Sequence, residues 1–353
     1  MNTTRFRNLE LHKILRMIFF GLIAVGILSA CGGGANRPIF LCGLDDRNVD
    51  GEINFDDGWN GIYALTVKES DSPFEPISDP EFDHRRVLVA PSGEKILYLS
   101  IRKDVDGDGE ITPFDDGQGL YVADPDGQKE DELIYLENDS FSNILWSRDS
   151  TRIAYLTGEN SNIWTIYGVD GRRKDEVEMQ DFFEEQGDDF TLAISPDGTQ
   201  RIWPDLQGGL IVADSALDRE EAMGEPVLTD RLENYYVIGW SPDSQRLLLT
   251  AREDDMVPPD QVGLPPSTLY VINADGSGLK RITDQGGVGV LSGFEAAWSP
   301  DGEQVAYLSV WEDEDGDGLM ERGDIRLMLV NSDGTGERVL ITDQLRLSSC
   351  LSW

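Results

Sequence analysis

The chain repeats one short turn four times: Ser147-Arg148-Asp149-Ser150, Ser195-Pro196-Asp197-Gly198, Ser241-Pro242-Asp243-Ser244 and Ser299-Pro300-Asp301-Gly302. The turn serines fall about fifty residues apart, and the spacing stretches where a loop is inserted. The fullest unit occupies 294–342. A short strand pattern ends at Trp298, the turn follows, and a second strand covers 304–310. An acidic loop from 313 to 324 leads to a third strand at 325–330. The turn Asn331-Ser332-Asp333-Gly334 then leads to a last strand ending at Thr342.

The rest of the chain varies this unit. The first has strand patterns at 39–42 and 61–67, an acidic loop between them, and a fourth-strand slot ending at 77–80. The second has strands at 86–89, 95–101 and 119–122. The third has 143–146, 152–157 and 163–167, and the fourth 190–194, 200–203, 210–213 and 227–229. The fifth has 235–240, 246–251, 268–272 and 281–283. The apolar runs are short, rich in β-branched and aromatic residues, and bounded by Gly, Pro and Asp, which reads as strand and not helix. A single unit cannot bury its apolar faces, so neighbours must cover them. Closing the units into a ring removes exposed edges. The expectation is an all-β fold, a six-bladed β-propeller of four-stranded blades covering 38–353.

Trp240-Ser241-Pro242-Asp243 and Trp298-Ser299-Pro300-Asp301-Gly302 with Val305-Ala306-Tyr307 resemble the TolB-type propeller repeat, as does Leu269-Tyr270 ahead of Asp275-Gly276. The resemblance covers about 39–353 and implies a six-bladed ring. The unit at 189–230 departs most, with Ile194 in place of tryptophan and Pro204 cutting its second strand short. The last residues, 347–353, look like the first strand and tryptophan of a further unit. The first unit lacks a first strand, so the C-terminal strand is expected to complete blade one and close the ring.

The 353 residues include 67 acidic and 29 basic ones, a net charge of −38. Phosphate binding needs a basic footprint, so a nucleic-acid partner is excluded. At the N-terminus, Arg5, Arg7, Lys13 and Arg16 precede a twelve-residue apolar run, 17–28, too short to span a bilayer comfortably. Leu28-Ser29-Ala30-Cys31 resembles a bacterial lipoprotein signal. That resemblance implies removal of residues 1–30, a lipid on Cys31, a short linker at 31–37 and a place in the cell envelope, at the outer membrane or cell surface. With Cys31 lipidated, Cys42 and Cys350 remain as a disulfide candidate in an oxidising compartment. They lie on the adjacent strands of the shared blade, where a bridge locks the ring.

Three loops share the spacing of an EF-hand-type calcium loop. Asp46, Asn48, Asp50, Gly51, Glu52, Asn54 and Asp57 occupy positions 1, 3, 5, 6, 7, 9 and 12. Asp104, Asp106, Asp108, Gly109, Glu110, Thr112 and Asp115 repeat the pattern, as do Asp313, Asp315, Asp317, Gly318, Leu319, Glu321 and Asp324. Side-chain oxygens at 1, 3 and 5 converge on one cation, glycine at 6 permits the sharp turn, position 7 offers its carbonyl, and position 12 closes the shell. Aspartate at 12, with Ile53 and Ile111 at position 8, resembles the dockerin variety. The expectation is about three Ca2+ ions, each between the second and third strands of its blade. In a closed six-blade ring they lie along one arc of one face.

Only two histidines are present, His12 and His84, which argues against zinc chemistry and a Ser-His-Asp triad. His84, beside Arg85 and Arg86, reads as a surface histidine. Trp146, Trp240, Trp298 and Trp353 recur at one blade position and read as core. For Trp164, Trp203 and Trp311 the plain reading is also structural, and a ligand-lining face the sharper one. No nucleophile elbow, phosphate loop or dinucleotide fingerprint occurs. These features point to a non-catalytic, monomeric binding platform for a protein or glycan, tethered to a membrane by lipid. An envelope-assembly scaffold and a polysaccharide-active enzyme are the alternatives.

Overall fold

The computed structural model of the chain describes residues 37–45, 58–67, 74–112, 117–137, 139–158, 163–178, 194–204, 209–217, 235–252, 267–283, 296–310, 325–341 and 345–353. The strands are β1 (Ile39–Leu44), β2 (Gly61–Leu65), β3 (Phe74–Pro76), β4 (Asp83–Val89), β5 (Ile96–Ile101), β6 (Gln118–Ala123) and β7 (Asp131–Leu136). Next come β8 (Phe141–Trp146), β9 (Arg152–Thr157), β10 (Ile163–Gly168), β11 (Arg173–Glu178), β12 (Gln200–Pro204) and β13 (Leu210–Asp214). After them follow β14 (Tyr235–Trp240), β15 (Arg246–Arg252), β16 (Ser267–Asn273), β17 (Lys280–Arg281), β18 (Ala296–Trp298), β19 (Gln304–Val310), β20 (Ile325–Asn331), β21 (Arg338–Ile341) and β22 (Arg346–Ser352).

All pairings are antiparallel, and the sheets follow the repeat: β22-β1-β2-β3, β4-β5-β6-β7, β8-β9-β10-β11, β14-β15-β16-β17 and β18-β19-β20-β21. The expectation of six four-stranded blades is corrected: among the described residues five such sheets form. The sheet between the third and fifth units is the two-stranded ribbon β12-β13, with one bridge from Ile194 to Arg201 beside it. The departures lie where the sequence is irregular: Pro204 brings no backbone donor to the ladder, and Ile194 replaces the blade tryptophan. The fourth-strand segment expected at 227–229 lies outside the described residues. In the first sheet the fourth strand is Phe74–Pro76, within the expected slot that ends at 77–80.

The chain ends share the first sheet. β22 pairs with β1 through Phe40–Ser352, Leu41–Leu351 and Gly43–Leu347. Cys42 and Cys350 form a disulfide with a Cα–Cα distance of 5.3 Å across 308 residues of sequence.

Each Ser-x-Asp turn is held the same way. The Oγ of Ser147, Ser195, Ser241 and Ser299 donates to the aspartate two residues on, at 2.5–2.7 Å. It also accepts the amide five residues on, at 2.9–3.0 Å. A residue of left-handed backbone closes each turn, and it meets the preceding sheet in one of two ways. Ser150 and Ser244 accept the amides of Ser92 and Asp197 at 2.9 and 3.0 Å. At Gly198 and Gly302, and likewise at Gly93 in the Pro91-Ser92-Gly93 turn of the second unit, a guanidinium occupies the space a Cβ would need: Arg148, Arg246 and Arg37 respectively. Arg37 and Arg246 also donate to Ser92 O at 2.7 Å and Gly302 O at 2.9 Å.

Between these clasps the cores merge. One cluster joins Trp298, Tyr307 and Leu329 to Ile39, Tyr63 and Trp353, so the sixth unit packs on the first. The blade tryptophans Trp146, Trp240, Trp298 and Trp353 are all buried, as expected. Trp164 is also core at 1% exposure, whereas Trp203 is half-buried under the guanidinium of Arg201. Trp311 lies outside the described residues.

Candidate functional site

Of the three acidic loops, the second is described through residue 112. It leaves β5 at Ile101, on the face where second strands pass to third. Two cations precede it and are tied down. Arg102 lies 4.1 Å over the Tyr121 ring and donates to Ser100 Oγ and Glu130 Oε2, both at 2.9 Å. Lys103 reaches Glu132 at 2.8 Å and sits 4.1 Å over Tyr135. Because β7 carries Glu132 and Glu130 directly precedes it, the loop starts from a point fixed to the outer strand of its own blade.

Asp104, Asp106 and Asp108 then bring one carboxylate oxygen each to within 4.8 Å of one another, all three exposed. The backbone curls around them. Asp104 accepts the amides of Gly107 and Gly109 at 2.6 and 2.9 Å, Asp106 that of Asp108 at 3.0 Å, and Asp108 that of Glu110 at 2.8 Å. Gly109 has φ +93°, a conformation that glycine adopts without a Cβ penalty, which is what position 6 of such a loop needs. Three hard oxygen donors at alternate positions suit a divalent cation of the calcium, magnesium or manganese class. Asp108 uses only Oδ1 in these bonds. Glu110 and Thr112 follow on the same loop.

The other expected ligands lie outside the described residues: Asp115, the whole first set (Asp46, Asn48, Asp50, Glu52, Asn54, Asp57) and the whole third set (Asp313, Asp315, Asp317, Leu319, Glu321, Asp324). Cys31 lies outside them too.

The flanks of the first and second loops do meet. Asn60, just past the first loop, donates its amide and Nδ2 to Asp83 Oδ1 at 3.3 and 3.1 Å, and its carbonyl accepts the His84 amide at 2.9 Å. The His84 ring packs edge-on against Tyr98, and Arg102 donates to Tyr98 OH at 3.2 Å. Tyr98 and Glu130 are hydrogen-bonded as well. The reading of His84 as a surface histidine is corrected: it is 0% exposed. Its Nε2 lies 2.7 Å from Asp79 O, so Nε2 carries the proton and donates, and Nδ1 has no partner among the described residues. Burial above all, with Arg102 adding to it, drives the His84 pKa down to about 4, against weaker pulls from Asp79 and Asp83. Burial likewise raises Glu130, and burial with the bond to Glu132 raises Tyr121 above the ordinary phenol range.

Three cationic or titratable side chains in a row, His84-Arg85-Arg86, are a visible signal in so acidic a chain, but their separate fates are not. His84 goes inside, Arg85 pairs with Asp83 at 2.7 Å, and Arg86 forms no ion pair among the described residues.

No family model matches the chain, and no curated protein matches it. Solved structures do. TolB from Acinetobacter baumannii superposes with a TM-score of 0.52 at 12% identity, covering 90% of this chain and 66% of that one. The chain thus spans just under two thirds of that TolB. The β-propeller domain of the Trilobed protease from Pyrococcus furiosus matches at 13% identity and a TM-score of 0.37, over 80% of this chain and 75% of that one. An oligogalacturonate lyase in complex with manganese matches at 14% identity and 0.37, over 78% and 74%. The TolB likeness supports the propeller architecture, and at such identity it speaks for the fold alone. Among the described residues no helix is long and apolar enough to cross a membrane.

Proposed function

We propose that this chain is a non-catalytic binding platform, a β-propeller whose second-to-third-strand loops take calcium and whose N-terminus is held at a bacterial envelope by a lipid on Cys31. The observation that carries the calcium part is the convergence of Asp104, Asp106 and Asp108 on a loop already curled into the shape a cation requires. Asp104, Asp106 and Asp108 would hold the ion by carboxylate oxygens, Glu110 by its carbonyl, and Thr112 and Asp115 would complete the shell. A bound calcium supplies charge neutralisation and rigidity, not chemistry on a substrate. The same spacing at 46–57 and 313–324 extends the reading to three ions.

The non-catalytic reading is supported by how the polar groups near the loop are used. Tyr98, Tyr121, Glu130, Glu132, Arg102 and Lys103 bond to one another, and His84 is buried and neutral. A general acid or base needs a group poised near the working pH and free to reach substrate. The lipid and envelope readings rest on the sequence box at 28–31.

Pull-down from detergent-solubilised envelope, with calcium or with chelator, tests the platform. The expected result is a protein or glycan retained with calcium and released by chelation, with no turnover of a polysaccharide panel. Turnover, or retention indifferent to calcium, contradicts it. Cys31→Ser should move the protein from the detergent phase to the aqueous phase, and continued partitioning into detergent would remove the anchor.

A further inference from the structure

The inner strands of the second and third blades hold a guanidinium with almost nothing to bind among the described residues. β4 and β8 touch along this edge, where Trp146 Nε1 donates to Leu88 O at 3.2 Å. Both strands break register here: β4 between Arg85 and Val87, β8 between Phe141 and Asn143. A bulge re-aims the side chain of its extra residue and recurs beside binding sites. In β4 that residue is Arg86, whose φ of 52° is left-handed, a strained backbone for a long side chain.

The re-aimed side chain uses little of its capacity. Of five N–H donors, one reaches Asn143 Oδ1 at 3.4 Å, a long contact to an oxygen that already accepts the Ile144 amide at 2.9 Å. Arg86 Nε is buried with no partner among the described residues. Desolvation alone acts on the group, lowering its pKa to about 10, with no carboxylate pulling the other way. A buried donor without a partner is costly, and an uncompensated buried charge more so. The chain carries 67 acidic residues, yet none pairs with Arg86 among the described residues. By contrast, Arg85 has Asp83, Arg102 has Glu130, and Arg246 has Gly302 O and Ser332 Oγ.

We infer that Arg86, braced by Asn143, is a carboxylate-binding site at the inner edge of blades two and three. The fork of a guanidinium matches a carboxylate bidentately, and such charge-assisted pairs are the strong ones. A carboxylate of the ligand supplies the counter-charge that the described residues withhold. The inference rests on the platform reading only for what carries the carboxylate; the site stands on β4 and β8 and uses no calcium ligand.

The test uses the full chain with calcium present and two probes, acetate and a blocked aspartyl tripeptide amide. In the wild-type protein the Arg86 Nε–H resonance, assigned by its loss in Arg86→Lys, should shift saturably, with a Kd on the order of millimolar for acetate. Saturation transfer to the acetate methyl should weaken at least about tenfold in Arg86→Gln. Tighter binding of the peptide marks a carboxylate presented by a protein segment, and equal binding marks a small free acid. If Arg86→Gln fails to fold, the wild-type Arg86 resonance decides alone. No saturable shift of that resonance with either probe overturns the site. Loss of calcium binding elsewhere, with the shift intact, overturns the calcium reading and leaves this one standing.

Discussion

His84 gives the chain a pH dependence separable from that of its many carboxylates. Its folded pKa of about 4 lies below the ordinary 6.5. Between those values the unfolded chain binds the proton and the folded one does not. The contribution of His84 is therefore fully present above pH 6.5 and is lost as pH falls toward 4, on the order of 3 kcal/mol in all. The turn aspartates act lower. Burial pushes Asp149, Asp197 and Asp243 up, but bonds from the turn serines and following amides outweigh it and hold them below the usual range. Their contribution is present above the ordinary carboxylate pKa and is lost as pH falls through the depressed folded values. Denaturant midpoints of the wild type should thus drop between pH 6.5 and 4.5, and His84→Gln should flatten that drop. An unchanged slope in the variant would mean that His84 is solvated and titrates normally.

At the scale of the element, the turns between third and fourth strands seat glycines on the preceding blade. Gly127 has φ +78°, and a Cβ there would stand 2.0 Å from Ile77 O. Gly334 has φ +76°, with its nearest neighbour, Arg281 O, at 3.2 Å. Both alanine variants bear the left-handed penalty of roughly 1–2 kcal/mol. Only Gly127→Ala adds a backbone clash that no rotamer relieves, so it should cost about 3 kcal/mol or more, against about 1–2 for Gly334→Ala. Equal denaturation midpoints for the two would contradict this packing. Elements of this kind divide what the sequence shows from what it hides. The Ser-x-Asp turns and apolar second and third strands are legible because their chemistry is local and repeated. β11 is not: Arg173–Glu178 is almost wholly polar, and only backbone pairing to β10 makes it a strand. β7 hides for the same reason, since Asp131 and Glu132 face water at the outer edge. The Asp104-Asp106-Asp108 cluster was visible as spacing, whereas Arg86 and His84 differ by a bulge and a burial that no spacing encodes.

Across the whole molecule, the two ends of the chain are one structural unit. Leu347 to Trp353 supply the first strand of the blade that begins at Ile39. The Trp353 indole donates to Arg37 O at 2.9 Å, Ser352 Oγ accepts the Val89 amide at 2.9 Å, and Cys42–Cys350 spans 308 residues. By the chain-entropy argument a bridge of that span constrains the unfolded state by roughly 4–6 kcal/mol. Reduction should lower the melting temperature markedly, and melting indifferent to reductant, with both thiols shown free, would contradict it. The same ring is proposed to carry three like-charged loops on one face, and mutual repulsion among their carboxylates is relieved only by cations. Extracellular-class affinity, with Kd roughly 10⁻⁵ to 10⁻³ M, suits aspartate at position 12. Three such sites at about ten times Kd would add ~4 kcal/mol to stability. Calorimetric titration of the full chain with calcium is the most direct measurement. The expected result is three ions bound, two in Asp108→Ala, and a melting temperature lowered by chelator. No calcium heat and no effect of chelator would contradict the account.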